Sequence, residues 1–519
     1  MQYLKSMIIS LLLLLPLLVF PQKASLIRLE VPASLESGAF QVETIGEEGV
    51  LIFYESNEIN EDNLRKWYFG LFDTQLKQVW LKFVPLNDGI YFVKSVRNEN
   101  KIHFLFRSDG TGRAGDFYEI VNYDMKKRSF SNISGTIPED AEIKGFEAIG
   151  NKGCLGVNLK RNGTDVLFIN LNNGEIEART IEPENDSYIE TIDTDPVNRK
   201  FYVAVKYVRD KRYLDDKIIR YSAGGVQEKV FSIRNQEGLK LLRNFKFTPV
   251  KDNKLTILGT YDIVTGKMMT MKDLDNDEEA KGVGMFFLQY ESDTQKILRY
   301  YDFLSFDNIY GSLEGREMNY SKKNSEAKDE EKPNKTLTAF FHFFSPQVIQ
   351  KDSQYVFTVE LYKPYYRLET RMEYDFYGRP MPQSYTIFDG YKFYDFIIAS
   401  VSENGELLWN NDFELKEIRT FFLNKHVAAF EDDPYFSMAY ISKGKIHLQT
   451  IDGPEDIHND EVTIETQFPK DRVSEDENNT IVHWYDSYFL IYGYQRLKNR
   501  SMEEQSVRAV FYANKVAYN

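Results

Sequence analysis

The sequence predicts an all-β fold, an eight-bladed β-propeller of four-stranded antiparallel blades. Three observations predict it. Strand-favouring aromatic residues are abundant, with 34 Tyr and 38 Phe in 519 residues. Apolar runs are short, alternate with polar residues and end at Asn, Asp, Gly or Lys. A hairpin of one form, first seen at Phe69–Trp80, returns about every 50 residues along much of the chain, which is typical of radial β repeats.

Each copy of this hairpin supplies the third and fourth strands of one blade. The copies share a β-rich run, a short polar turn and a second β-rich run. They begin at Phe69, Ile120, Phe168, Ile218, Phe287, Ile398, Leu448 and, in a weaker form, Val510.

The first and second strands of each blade precede that hairpin and flank a cluster of turn residues such as Asn98-Glu99-Asn100. The predicted first strands are 40–45, 90–97, 143–149, 188–192, 241–247, 339–348, 420–430 and 480–484. The predicted second strands are 50–54, 102–107, 153–159, 201–207, 255–261, 355–362, 435–441 and 488–494.

A lone strand at Leu26–Leu29 precedes the first blade. We expect it to complete the last blade and close the ring, since closure removes an exposed sheet edge. Seven blades is the alternative count, if Val507–Asn519 and Leu26–Leu29 complete a unit that is counted twice.

Residues 1–24 have the pattern of a secretory signal peptide. Lys5 lies in a positive n-region, Ile8–Phe20 forms an apolar h-region, and Pro21–Ala24 provides a cleavage region. The apolar run is too short for a membrane-spanning helix. The sequence therefore predicts an exported protein, periplasmic or associated with the cell surface, whose residues 25–519 form the propeller without a transmembrane segment.

The long insertions are predicted on one face of the ring. In a four-stranded blade, the turns between strands one and two and between strands three and four share a face, and these turns are short. The long segments belong to the other face. Three of them differ in composition from the rest of the chain: 262–284, 311–336 and 363–392. A scaffold that presents a recognition surface has this arrangement.

Segment 363–392 is the best candidate for a binding site. It is aromatic and basic within an acidic protein, and Tyr and Arg are favoured at binding hot spots. We predict a loop in which the partner-binding residues are Tyr365, Tyr366, Arg367, Arg371, Tyr374, Tyr377 and Arg379.

The formal net charge of −15 argues against nucleic acid as a partner. The acidic run Asp273–Glu279 alternates carboxylates but lacks the glycine and the final glutamate of an EF-hand, so a solvated run is favoured over a weak calcium site. Three histidines, His342, His426 and His483, fall on predicted first strands and could meet in the central channel, although their aromatic neighbours favour ordinary packing. We therefore predict no metal and no cofactor.

One stretch resembles a known repeat. Asn404-Gly405-Glu406-Leu407-Leu408-Trp409 looks like the turn and docking tryptophan of the pyrroloquinoline-quinone-like repeat, and Asp73–Trp80 is a looser match. The resemblance implies a periplasmic eight-bladed propeller. It is not extended to cofactor binding.

Together these patterns predict a binding or scaffold protein of the bacterial cell envelope that recognises a protein partner, with a glycan as a further possible ligand. The alternative function is a propeller-type enzyme, a glycan hydrolase or lyase acting at the mouth of the central channel. Converging carboxylates or histidines at that mouth would favour the enzyme, whereas an exposed aromatic surface would favour the binding protein.

Overall fold

The chain forms eight four-stranded sheets, and the strands of each sheet are antiparallel and adjacent in sequence order apart from one N-terminal strand. The computed structural model describes residues 27–35, 39–108, 116–159, 163–181, 186–209, 212–235, 240–263, 282–306, 341–351, 353–374, 376–502 and 506–517. The fold is an eight-bladed β-propeller, as the sequence predicts, and the alternative count of seven blades is wrong.

Blades 1 to 4 occupy the first half of the chain. Blade 1 has β2 (Phe40–Thr44), β3 (Val50–Ile59), β4 (Arg65–Phe72) and β5 (Gln78–Leu86). Blade 2 has β6 (Ile90–Asn98), β7 (Lys101–Ser108), β8 (Phe117–Asp124) and β9 (Ser129–Thr136). Blade 3 has β10 (Glu142–Ile149), β11 (Lys152–Asn158), β12 (Thr164–Asn170) and β13 (Ile176–Thr180). Blade 4 has β14 (Asp186–Asp195), β15 (Lys200–Arg209), β16 (Arg212–Ser222) and β17 (Gln227–Ser232).

Blades 5 to 8 complete the ring. Blade 5 has β18 (Lys240–Phe247), β19 (Lys254–Ile263), β20 (Gly282–Glu291) and β21 (Thr294–Asp302). Blade 6 has β22 (His342–Lys351), β23 (Gln354–Tyr374), β24 (Pro380–Ser402) and β25 (Leu407–Thr420). Blade 7 has β26 (Ala428–Asp432), β27 (Tyr435–Ser442), β28 (Lys445–Asp452) and β29 (Glu455–Thr463). Blade 8 has β30 (Arg472–Tyr485), β31 (Tyr488–Lys498), β32 (Val507–Ala517) and the N-terminal β1 (Ile27–Pro32).

The N-terminal strand closes the ring as predicted. β1 pairs with β32 over all six of its residues. Arg28 fixes this pairing, because its guanidinium donates to Glu30 (2.7 Å), Asn514 (3.0 Å) and Gln495 (2.9 Å) and lies over the ring of Tyr512. Both ends of the chain thus contribute to one sheet.

Apolar side chains from neighbouring blades form eight buried clusters, one at each blade interface. Large rings are prominent in them, and the stacked rings of Phe53 and Phe69 are an example, with centroids 5.0 Å apart. Trp80 packs on Tyr123 of the next blade, and Trp409 packs on Phe436 of the next blade. Both tryptophans therefore dock one blade against the next.

The first strands of neighbouring blades lie against one another, for example β10 against β6 and β14, so these strands surround the central axis. Strand direction alternates within a blade. The turns between first and second strands and between third and fourth strands therefore lie on one face, and the connections between second and third strands and between blades lie on the other. We name the second the insertion face.

The predicted first strand of blade 7 is wrong in its bounds. The sequence predicts a strand over 420–430 in blade 7, but β26 begins at Ala428 and Thr420 ends β25. The Thr420 hydroxyl exchanges hydrogen bonds with the backbone of Phe422, at 2.9 and 3.2 Å. This local turn takes the chain out of the sheet before Leu423.

Two of the predicted insertions fall largely outside the described residues. Of 262–284, residues 262–263 end β19 and residues 282–284 begin β20, whereas the acidic run Asp273–Glu279 is outside them. Segment 311–336 also lies outside them. Among the residues that are described, no helix is long and apolar enough to cross a membrane.

Removal of Ile27–Pro32 should lower the free energy of unfolding by about 3 kcal/mol, because two half-buried aliphatic side chains leave the cluster between blades 8 and 1. Chemical denaturation of the purified chain measures this change. A chain that lacks only residues 1–26 is the control and should match the full chain. An unchanged denaturation midpoint after removal of β1 would contradict the assigned closure.

Candidate functional site: an amphipathic arm on the insertion face

Blade 6 carries a long β-hairpin that projects from the insertion face. The pairing of β22 with β23 ends at His342 and Tyr362, and the pairing of β24 with β25 ends at Tyr391 and Thr420. Beyond these points, as far as Tyr374 and Pro380, the described residues pair β23 with β24 alone. We name residues 363–392 the arm. Its regular part has nine residues in each strand, which corresponds to about 30 Å.

The arm corrects the sequence prediction of a loop at 363–392. Both strands simply continue from the blade, with a register shift at Pro364/Tyr366 where the arm leaves the disk. Gly390 lies at this point with φ of 102°, and a Cβ there would be 2.8 Å from the carbonyl oxygen of Thr420. Only glycine fits this close approach between β24 and the end of β25.

One face of the arm is apolar. Because side chains alternate along a strand, the cross-strand pairs 366/388, 368/386, 370/384, 372/382 and 374/380 share this face. It presents Tyr366, Leu368, Met372, Tyr374 and Phe388. Leu368, Met372 and Tyr374 are 76%, 61% and 72% exposed. We name this surface the apolar face; large side chains with this exposure are typical of interaction surfaces.

The opposite face of the arm is charged. Arg371 donates to Glu369 at 2.7 Å and lowers the pKa of that carboxyl. Arg367 lies 3.8 Å from both Glu369 and Asp389. Near the base, Arg419 of β25 donates to Asp389 at 2.7 Å and ties the arm to the blade. Positive and negative side chains therefore balance one another on this face.

A cavity of about 360 Å³ lies where the apolar face meets the disk. We name it the base pocket. Its lining consists of His342, Tyr362, Pro364, Tyr366, Phe388, Tyr391 and Leu423. The Phe388 ring contacts both Tyr366 (5.6 Å between centroids) and Tyr391 (5.1 Å). The apolar face and the base pocket therefore form one continuous aromatic surface.

The residues predicted to bind a partner are divided between the two faces and the tip. Tyr366 and Tyr374 lie on the apolar face. Arg367 and Arg371 belong to the charged face. Tyr365 lies at the register shift with Arg419 over its ring, whereas Tyr377 and Arg379 lie in the turn at the tip. The rings at the tip are the most exposed, with Phe376 at 97%.

Sequence reasoning missed Leu368, Met372 and Phe388, which complete the apolar face. The signal was present as a period of two along Tyr366, Leu368, Thr370, Met372 and Tyr374. The prediction of a binding site rested on the content of Tyr and Arg and not on this alternation.

The three histidines lie against different partners. His342 packs on Tyr362 beside the base pocket, His426 packs edge-on against Phe393, and His483 stacks on Phe430 and contacts the carbonyl oxygen of Asp486. Burial lowers the pKa of His426 to about 4. In the described part of the chain, no group of three or more His, Cys, Asp or Glu side chains could hold a metal ion.

Glu360 anchors the segment beside the base pocket. This buried carboxylate accepts hydrogen bonds from the backbone N–H groups of His426 and Val427, each at 2.9 Å. The pKa of Glu360 is nevertheless raised to about 7, because burial outweighs these two bonds. Lys425 lies nearby, and its pKa is lowered by burial.

The first strands carry charged side chains that link neighbouring blades. Lys94 donates to Glu147 at 2.8 Å, and Ser95 donates to Glu43 at 2.5 Å. Asp193 accepts from the backbone N–H of Phe247 at 3.0 Å. Burial raises the pKa of Glu43, Glu147 and Asp193. Each of these carboxylates joins one blade to the next.

Comparison with known proteins does not assign the chain to a family. No family model matches the chain, and no curated protein sequence matches it. The resemblance to the pyrroloquinoline-quinone-like repeat therefore stays a prediction.

Several solved structures are similar to the chain at low identity. The dihydro-heme d1 dehydrogenase NirN, solved in complex with DHE, is 13% identical over 94% of this chain and 78% of that one, with a TM-score of 0.42. The WD40 domain of SCAP from fission yeast is 8% identical over 95% of this chain and 98% of that one, with a TM-score of 0.40. The β-propeller domain of the Trilobed protease from Pyrococcus furiosus is 9% identical over 83% and 95%, with a TM-score of 0.31.

Glu360 should make stability depend on pH. Its pKa rises from 4.5 to about 7 on folding, so the folded chain keeps a proton that the unfolded chain has released between these values. The contribution of Glu360 to the free energy of unfolding is full below pH 4.5 and is lost as the pH rises through about 7. As the pH rises between these limits, the free energy of unfolding of the wild type should fall by about 3 kcal/mol relative to that of Glu360→Gln.

Urea denaturation of both proteins across this pH range measures the difference. Gln cannot ionise but keeps an oxygen that accepts from His426 and Val427. Two parallel curves of stability against pH would contradict the assigned pKa.

Proposed function

We propose that this chain is an extracytoplasmic binding or scaffold protein of the bacterial cell envelope, and that it recognises a protein partner through the arm. The observation that carries the proposal is the apolar face, where Leu368, Met372 and Tyr374 are exposed together on one side of a β-hairpin.

Physical chemistry supports a partner for this surface. Exposed aliphatic and aromatic side chains gain about 25 cal/mol for each Å² that a partner removes from water. Aromatic residues and methionine are enriched at the centres of protein interfaces, and polar residues surround them. The apolar face has this composition, and charged pairs occupy the other side of the same ribbon. The regular strands of the arm also limit the conformational entropy that is lost on binding.

The choice of a protein partner follows from charge. The whole chain carries a net charge of −15, which disfavours nucleic acid. On the arm itself, Arg367 and Arg371 are balanced by Glu369 and Asp389, so no basic patch is left to attract phosphates. A surface that is apolar on one side and neutral on the other fits a protein.

The competing function, a glycan hydrolase or lyase at the channel mouth, would use carboxylates near the central axis. Glu147 and Asp193 have raised pKa values, but both already bind a lysine or a backbone N–H group of another blade. These contacts support a role in holding the ring together. We therefore place the binding role first.

Export is part of the proposal and rests on the pattern of residues 1–24. Protein isolated from the envelope of its own cells should begin close to Ser25, since cleavage is expected within or just after Pro21–Ala24. N-terminal sequencing of that protein tests this. A chain recovered from the cytoplasm with Met1 intact would contradict export.

Phe388→Asp should weaken capture of the partner about tenfold or more, because it places a charge in the aromatic surface between Tyr366 and Tyr391. The measurement is recovery of envelope proteins on immobilised wild type and variant.

Ile387→Asp is the matched control. It introduces the same charge one residue away, on the opposite face of the same strand. Proteins that bind wild type and Ile387→Asp but not Phe388→Asp are the partners in question. Equal recovery on all three would contradict recognition by the apolar face.

A further inference from the structure

The two edges of the arm differ in their capacity to pair with another strand. Within the described residues, no strand pairs with either edge of the arm beyond Tyr362 on β23 and Tyr391 on β24. Pro380 and Pro382 lie along β24, and a proline at an edge has no N–H to donate to a new strand. β23 has no proline between Tyr365 and Tyr374. The β23 edge is therefore the one open to strand addition.

The prolines also fix the direction of the backbone groups. Pro382 pairs with Met372 and Pro380 pairs with Tyr374. Because proline is tolerated where the N–H side faces away from the neighbouring strand, neither pair exchanges backbone hydrogen bonds. Antiparallel ladders alternate between bonded and non-bonded pairs. The N–H and C=O groups of Thr370 and of the other even-numbered residues from 366 to 374 therefore point out of the free edge.

The sequence of this edge is complementary to itself. It runs Tyr366-Arg367-Leu368-Glu369-Thr370-Arg371-Met372-Glu373-Tyr374. If a second copy lies antiparallel with Thr370 opposite Thr370, each residue pairs with the one equally far on the other side of Thr370. Arginine then meets glutamate at 367/373 and at 369/371. Leucine meets methionine at 368/372, and tyrosine meets tyrosine at 366/374.

We propose that the arm is a self-association element, in which two copies of this chain pair their β23 edges about a two-fold axis at Thr370. The backbone groups that point out of each edge bond across this axis. Arg–Glu pairs occupy the non-bonded positions, where opposing Cα atoms are about 4.5 Å apart and side chains are closest. The interface is isologous, as in most dimers of identical chains.

The pairing also resolves a weakness of the isolated arm. A two-stranded ribbon is marginally stable in water, whereas four strands with one apolar face are more stable. In the dimer, the order of strands is β24, β23, β23 and β24, and the proline-bearing edges lie outside. Both apolar faces lie on the same side of this sheet. The exposed tip of one copy, with Phe376, lies beside the base pocket of the other, because residue 376 falls opposite Pro364.

Neighbouring registers of the two β23 strands are less complementary. Moving the axis to Glu369 or Arg371 would place two glutamates or two arginines directly opposite each other, which is destabilising. An axis midway between two residues would place the outward-pointing backbone groups of one copy opposite residues whose groups point away. Only the register about Thr370 pairs both charges and backbone over all nine residues.

Charge-reversal variants of a chain that comprises residues 25–519 test the proposal. In Glu369→Arg and in Arg371→Glu, two attractive pairs in each dimer become repulsive, so self-association should weaken about tenfold or more. An equal mixture of the two variants restores both pairs and should associate as wild type does. Sedimentation velocity over a range of concentrations measures all four samples.

A second pair of variants tests the backbone. Thr370→Pro removes the N–H at the axis and should abolish dimerisation. Ser384→Pro is the matched control, because Ser384 lies directly opposite Thr370 on β24 and faces the other edge. It should leave the dimer intact. Circular dichroism of both variants confirms that the propeller is folded.

A wild-type chain that stays monomeric would overturn the proposal. It would be overturned even if the β23 edge then pairs with a strand of another protein. A mixture of charge variants that behaves like each variant alone would also overturn it. The inference goes beyond the proposed function and does not depend on it. If Thr370→Pro is monomeric but still captures the partner, the recognition role stands; if Phe388→Asp loses the partner but stays dimeric, self-association stands.

Discussion

Contact between neighbouring blades is the constraint on which the rest of the structure depends. A four-stranded sheet with apolar residues on both faces cannot bury them alone. Here each blade buries one face against the preceding blade and the other against the next, in eight clusters that together form a ring. The ring has to close, because an open end would expose a whole apolar face. Trp484 of blade 8, which donates to the carbonyl oxygen of Gly49, belongs to that closure.

The same constraint leaves the insertion face free to vary. Strands can run past the buried clusters on that face, so a hairpin can be lengthened without disturbing the packing below it. In blade 6 the inner parts of β23 and β24 are buried, and their outer parts become the arm. Glu360 lies on the buried part and holds the segment at His426 and Val427. The exposed surface is thus attached directly to a rigid core, which suits a site that must keep its shape.

Local patterns made most of the fold predictable, whereas the site depended on contacts between distant residues. The recurrent hairpins from Phe69 onward indicate the number of blades because turn chemistry is local. The first strand of blade 7 was misplaced because the hydroxyl of Thr420 bends the backbone there. The composition of residues 363–392 singled them out as a binding segment, but it did not predict that they form a β-hairpin. Burial raises the pKa of Glu360, and the backbone that Glu360 holds lies 66 and 67 positions away along the chain, which no local pattern reveals.

The closure by β1 has a consequence for how the molecule is assembled. Arg28 and Asn514, which bond in the finished sheet, are 486 positions apart. Blades 1 to 7 can form in order as the chain emerges, but the eighth has no fourth strand until both termini meet. Contacts so far apart in sequence form slowly. Until β1 pairs with it, the free side of β32 is a sheet edge that strands of other chains could occupy.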